Sequence, residues 1–246
     1  MRAPVLLVHG LFGSLSSPGI LAPFGKQCIY APDLIGYGQC QKQGENGWTL
    51  NHQADHLAGF IHACKCGPVH LAGHSVGGAV AVLMAVRHTD LVSSLTLIEG
   101  NLTLSDAFWS QIISKQSLEE IQTEVSVFRA DVAAWIAGAG VTPTDFAIET
   151  ATAWLDNQPV STIRTQAQAV VAATGEESYL EGLRHILSSL MPVHLISGER
   201  SQTGWHVPAW LKECATTYTV IPETGHLMMI ERPDVFARSV LNNLSD

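Results

Sequence analysis

The sequence predicts an α/β fold in which a mostly parallel central sheet carries helices on both faces and is interrupted by a helical insertion. Two observations predict it. Short apolar runs recur up to about residue 101 and again from about 188 onward, and the segments between them keep a helical period. From about 102 to 187 the strand signal vanishes, and amphipathic helical patterns carrying Trp109, Phe128, Trp135, Phe146 and Trp154 replace it. Residues 1–101 and 188–246 are therefore expected to form the sheet-bearing core around one hydrophobic centre, with 102–187 as the insertion.

Residues 4–8 are all apolar and end at His9-Gly10, as suits a strand buried on both faces of a parallel sheet. Residues 10–17 read as a loop rich in Gly and Ser. A second strand over 27–31 runs into Pro32-Asp33 and the turn-forming Gly36-Tyr37-Gly38. Apolar residues at 54, 57, 58, 60, 61 and 64 give 50–64 a helical period. Residues 68–72 form a strand interrupted by His70, which breaks at Gly73-His74-Ser75-Val76-Gly77-Gly78 and continues into a buried helix over 79–87. The strand at 91–98 ends at Glu99-Gly100-Asn101. Beyond the insertion come a strand at 193–197, a short helix at 208–214, a last strand at 217–221 and a closing helix at 233–244.

Composition removes several function classes. Hydrophobic residues make up 46% of the 246 and charged residues 14%, enough apolar surface to offset the entropy of ordering the chain. A net charge of −9 with no Lys/Arg run argues against non-specific binding to nucleic acid or anionic membranes. No apolar stretch reaches the ~20 residues that span a bilayer. Because 4–8 is needed as a core strand, no removable signal segment is expected, and a cytoplasmic protein is the expectation. The five cysteines are odd in number and irregular in spacing, and Cys64-Lys-Cys66 is too tight for the usual zinc or redox pair, so they are expected to be reduced bystanders rather than a disulfide framework or metal site.

The chemistry concentrates at Gly73-His74-Ser75-Val76-Gly77, which fits a Gly-x-Ser-x-Gly turn between a core strand and a buried helix. So tight a turn strains its central residue, and glycines two positions to either side avoid collision with neighbouring backbone. The serine hydroxyl is lifted to the rim of the sheet, where the following helix N-terminus favours negative charge.

With this motif the chain resembles the α/β-hydrolase superfamily over nearly its whole length. The matching segments, in the family's order, are His9-Gly10-Leu11-Phe12-Gly13-Ser14, Ala31-Pro32-Asp33-Leu34-Ile35-Gly36-Tyr37-Gly38, the Ser75 turn, and Gly225-His226 through Glu231-Arg232-Pro233. The resemblance implies a carboxylesterase-like serine hydrolase with Ser75 as nucleophile and His226 as its base. It also implies an oxyanion hole made by the backbone N–H groups of Leu11, with Phe12 the neighbouring option, and Val76. His9 and His74 occupy motif positions that shape the pocket, whereas His52, His56, His62 and His88 fall on helices as expected surface groups.

The third triad member departs from the family pattern. The usual Gly-x-x-Asp reads here Gly198-Glu199-Arg200-Ser201, and serine cannot stabilise an imidazolium as a carboxylate does. Two acids keep the order Ser, acid, His: Glu99, after the strand that follows the nucleophile helix, and Glu199. Glu99 is the expected acid, because its strand ends on the same rim as Ser75, whereas Arg200 is placed to neutralise Glu199 on the surface. Glu231 is expected to pair locally.

The insertion resembles the family's helical lid, and His9, Phe12, His74, Trp109, Trp135 and Trp154 are expected substrate contacts, although aromatics at helical spacing more often form an insertion's own core. The implied reaction is hydrolysis of an ester, lactone or thioester in a small, largely apolar substrate, through an acyl-enzyme and without metal or organic cofactor. Ser75 argues against a dehalogenase, which needs a carboxylate nucleophile. Carbon–carbon bond hydrolase, perhydrolase and lyase chemistries remain alternatives, as does a non-catalytic ligand-binding relative. Nothing in the sequence sets the oligomeric state.

Overall fold

In the computed structural model, which describes residues 3–44 and 47–244, the strands β1 (Val5–Val8), β2 (Ile29–Tyr30), β3 (Val69–His74), β4 (Val92–Ile98), β5 (Val193–Gly198) and β6 (Thr217–Ile221) form one sheet. Its order is β2-β1-β3-β4-β5-β6, and every neighbouring pair is parallel. All four side chains of β1 are fully buried. Because side chains alternate across a strand, Leu6 and Val8 enter one apolar layer with Leu57, Ile61 and Val80, while Val5 and Leu7 enter the other with Ile20, Phe24 and Phe236. That two-sided burial is why the strand reads as an unbroken apolar run.

The helices follow in chain order. Helix α1 (Pro18–Leu21) and helix α2 (Leu50–Cys64) precede β3, and α3 (Val76–Arg87) leaves it directly. Between β4 and β5 lie α4 (Phe108–Ile113), α5 (Leu118–Ala130), α6 (Val132–Gly138), α7 (Asp145–Asp156), α8 (Val160–Thr174) and α9 (Glu177–Ser188). The chain ends with α10 (Ala209–Cys214), α11 (Met228–Glu231) and α12 (Pro233–Leu241). Caps divide the long helical stretch: Ser117 and Glu120 form a reciprocal capping box at α5, Asp131 caps α6 through Ala134 N–H, and Thr144 caps α7 through Ala147 N–H. Helices α8 and α9 pack on α3, and their Ile163, Val170, Leu183 and Ile186 join the apolar layer beneath the sheet. Helices α4, α6 and α7 instead bring Trp109, Trp135 and Trp154 over the ends of β1 and β3.

The order of connection creates the site. From β1 the chain steps outward to β2, then returns to place β3 on the other side of β1. The loops leaving β1 and β3 therefore diverge, and a crevice opens between them at the carboxyl ends of the strands.

The sheet also buries two histidines away from that crevice. His70 on β3 bonds Ser94 at 2.7 Å, and His194 on β5 bonds Thr217 at 2.9 Å. Burial, helped by the neighbouring His70, pushes the His194 imidazole down to about 4 from its ordinary 6.5. The unfolded chain thus binds the extra proton first as pH falls. The stability this neutral ring contributes is complete above pH 6.5 and is lost progressively down to about pH 4. Thermal melts should show His194→Gln losing less stability than the parent across that window; equal slopes would contradict the assignment.

Candidate active site

Ser75 stands between β3 and α3 at φ 55° and ψ −122°, a left-handed conformation that costs a non-glycine residue about 1–3 kcal/mol. Backbone bonds hold it there. Its N–H donates to Ile98 O at 3.1 Å, and its carbonyl accepts from the N–H groups of Gly78 and Asn101, both at 2.9 Å. Two glycines make the turn possible by close approach. A Cβ on Gly73 would lie 2.3 Å from Gly77 O, and one on Gly77 would lie 2.4 Å from the carbonyl oxygens of Val8 and His9. Gly77→Ala should therefore force β1 and the turn apart, costing about 1–3 kcal/mol in urea unfolding, with activity falling alongside. An alanine variant of parental stability would show that the contact yields easily.

Val76 is the first residue of α3, so its N–H has no partner within the helix. The opposing loop is set by His9 and Tyr37. His9 Nδ1 donates to Gly10 O at 2.9 Å, and its Nε2 accepts from Leu34 N–H at 3.2 Å. Burial pulls this imidazole below its usual value, consistent with the neutral form those two bonds need. Since the peptide is planar and trans, holding the Gly10 carbonyl directs the Leu11 N–H to the opposite side. The Tyr37 hydroxyl donates to Leu11 O at 2.8 Å and fixes the next peptide, that of Phe12, in the same way.

His226 lies in the loop between β6 and α11, with its side chain half-exposed, and its Nδ1 is 2.7 Å from Glu99 Oε2. The other Glu99 oxygen accepts from Gly198 N–H at 2.8 Å and from the Ser201 hydroxyl. Burial by itself raises the Glu99 carboxyl pKa, but His226, Ser201 and Gly198 together outweigh it, and the net direction is down. Ser201, standing where the family pattern has aspartate, thus donates to a carboxylate arriving from β4. His74 supports the same loop: its Nε2 donates to His226 O at 2.9 Å, and the two rings lie 4.5 Å apart. Burial and the neighbouring His226 hold the His74 pKa well below 6.5.

Glu199 is exposed and turned away, accepting from Glu223 N–H at 2.9 Å. The expected neutralisation by Arg200 is not what the structure shows. Arg200 pairs with Glu231 and with the carbonyls of Glu223 and Gly140, and Glu231 accepts from Gly225 N–H at 2.7 Å. These bonds brace the His226 loop. His56 and His88 likewise differ from free surface groups: His56 contacts Asp33 O at 3.0 Å and His88 contacts Asp55 at 2.7 Å.

Ser75, His226 and Glu99 line one cavity of about 530 Å³, together with Leu11, Val76, His9, Phe12, His74, Trp109, Trp135 and Trp154. Phe12 packs its ring 5.0 Å from Trp109 and 5.8 Å from Trp135. Trp154 donates to Ser14 O at 2.6 Å and packs against Gly13, holding α7 onto the β1 loop. Phe128 and Phe146 do not line the cavity; Phe128 stacks on Trp135 at 5.4 Å, and Phe146 covers Gly19. Ser201, noted from the sequence for filling the aspartate position, also lines it, as do Asn101, Phe108 and Trp205, which were not singled out from the sequence. Only for Asn101 was there a local cue, its place directly after the β4 end.

A model of the alpha/beta hydrolase family matches residues 5–239. The chain is 26% identical over 145 residues to a 2-hydroxymuconate semialdehyde hydrolase of Pseudomonas sp. (strain CF600), covering 52% of this chain and 48% of that protein. It is 33% identical over 85 residues to Lipase LipV of Mycobacterium tuberculosis, covering 35% and 32%. These alignments span less than half of the curated relatives' length. MenH from S. aureus superposes with a TM-score of 0.73 at 17% identity, over 99% of this chain and 94% of that one, a likeness of fold. With the family model spanning all six strands and both arms of the crevice, the chain belongs to the alpha/beta hydrolase family.

Proposed function

We propose that the protein is a serine hydrolase cleaving a carboxylic ester-type bond, whether ester, lactone or thioester, in a small and largely apolar substrate. The observation that carries this reading is the arrangement at one cavity: a strained Ser75, and a His226 whose Nδ1 is held by a buried carboxylate. In this mechanism His226 Nε2 takes the Ser75 proton as Oγ attacks the carbonyl carbon, then returns it to the leaving alcohol or thiol as the acyl-enzyme forms. Water, activated by the same imidazole, releases the acid. Glu99 keeps the proton on Nδ1 and stabilises the imidazolium. The N–H groups of Leu11 and Val76 receive the oxyanion, such donors being worth about 3–4 kcal/mol each.

Residues 102–187 serve as the lid insertion in this reading: its α4 and α6 cover the cavity with Trp109 and Trp135, which pack on Phe12 of the β1 loop, while its α8 and α9 anchor it on α3. Fluorophosphonate labelling, with turnover of a p-nitrophenyl ester panel, tests the proposal. An intact protein that is neither labelled nor active would point to a ligand-binding relative. A semialdehyde substrate of the kind named for the Pseudomonas relative is the second reading, favoured by that alignment, and belongs in the same panel.

Charge further limits the substrate. The charged lining residues Glu99 and Asp106 are acidic, and the Arg200 guanidinium is already engaged. Desolvating several negative charges there is costly. Uncharged acyl esters should outrun an acyl-CoA of equal chain length; a steep preference for the acyl-CoA at low salt would contradict this.

A further inference from the structure

Around the end of β4, several groups near Ser75 are paired through bonds from distant parts of the chain. Asn101 N–H donates to Ser75 O at 2.9 Å, Trp205 Nε1 donates to Gly100 O at 2.8 Å, and the Tyr179 hydroxyl donates to Asn101 O at 2.8 Å. The neighbouring Asp106 carboxylate is fully used, accepting from Leu102, Thr103 and His206. The Asn101 carboxamide, by contrast, is buried at 5% exposure with Oδ1 lacking any hydrogen-bond partner, and the residue lines the cavity. Buried amides left unpaired are costly and uncommon. An amide in so well satisfied a frame, anchored through its own N–H to the Ser75 carbonyl, is explained if the partner arrives from the cavity.

We propose that Asn101 is the specificity-determining residue of this site. It recognises a second, neutral oxygen function, a hydroxyl or keto group, carried by the substrate close to its scissile carbonyl. This rests on the serine hydrolase reading above and names its substrate class: oxygenated short-chain acyl esters rather than plain alkanoyl esters. A carboxamide suits such a group, because half a turn about its terminal torsion presents either the donor or the acceptor. The rings of Phe12, Trp109 and Trp135 make much of the remaining lining apolar. A site built to hydrogen-bond a substrate oxygen discriminates strongly against the analogue that lacks it.

The test uses the full chain and four probes: methyl butyrate, methyl 2-hydroxybutyrate, methyl 3-hydroxybutyrate and methyl acetoacetate. Binding is measured by calorimetry on Ser75→Ala and on the double variant Ser75→Ala with Asn101→Leu, leucine having nearly the shape of asparagine without its polar atoms. At least one oxygenated ester should bind the single variant about tenfold or more tightly than methyl butyrate, and that ratio should fall toward one in the double variant. The melting temperature of Asn101→Leu should equal or exceed that of the parent, because a buried, unpaired amide oxygen has been removed. Equal binding of all four esters, a ratio that survives the leucine, or a lowered melting temperature overturns the proposal. Turnover of the same esters by the unmodified protein is read separately. Discrimination in binding without turnover sinks the hydrolase reading while leaving the recognition role of Asn101 standing.

Discussion

Ser75→Ala is expected to lower ester turnover on the order of 10⁶-fold and to abolish fluorophosphonate labelling. The loss is this large because the serine and its base act as a unit: without Oγ no acyl-enzyme forms, and the imidazole has no proton to move. The fold should survive. The backbone at φ 55° is held by Ile98, Gly78 and Asn101 whether or not the hydroxyl is present, so the melting temperature should stay within about 2 °C of the parent. Mass spectrometry of the labelled parent should find the adduct on the peptide containing Ser75. An adduct on another serine would refute the assignment even if turnover were lost.

Glu99→Gln should lower turnover about 10⁴-fold while leaving stability near the parental value, and the reason lies in how the amide can be accommodated. The carboxylate accepts from three donors: His226 Nδ1 on one oxygen, Gly198 N–H and Ser201 Oγ on the other. A glutamine keeps the Gly198 and Ser201 bonds with its carbonyl oxygen and turns its NH₂ toward His226. The ring can accept that hydrogen bond only through an unprotonated Nδ1, which puts its proton on Nε2, the atom that must take the serine proton. Every bond is satisfied, and the tautomer is wrong. Glu199→Gln should change turnover less than about tenfold, since groups outside the reacting set contribute little to the transition state, and its carbonyl still accepts from Glu223 N–H. If Glu199→Gln proved the more damaging of the two, the proposed triad would be wrong.

Much of this molecule was legible along the chain because its signals are local. The apolar runs of β1, β3, β4 and β5 announce themselves, since strands buried on both faces need no polar alternation, whereas the edge strand β6 shows itself through β-branched and aromatic residues. The elbow at Ser75 is visible because a turn that tight demands glycine at 73 and 77, and close approach is a requirement that composition records. The strand at 27–31 shrinks to Ile29–Tyr30, an edge segment whose neighbouring residues have no second strand to bond. The second-line residues were not legible. Arg200 sits beside Glu199 in sequence yet turns to Glu231, because the buried Glu231 carboxylate, receiving Gly225 N–H, gains more from a cation than an exposed glutamate does.

By itself, then, the sequence determined the parallel sheet, the helical stretch after β4, and the positions of Ser75 and His226, each of them a matter of period or of contiguous motif. It narrowed the acid to two glutamates and could not separate them by distance. Only the tertiary structure brought Glu99 to 2.7 Å from His226, with Ser201 of the vacant aspartate position as its donor. Only it left Asn101 Oδ1 unpaired at the cavity, and the groups that satisfy the Asn101 backbone, Ser75 and Tyr179, lie far apart in the chain. The physical reason is the same in both cases. Hydrogen-bond satisfaction is a sum over everything that reaches a point in space, and a linear pattern records only what its neighbours contribute.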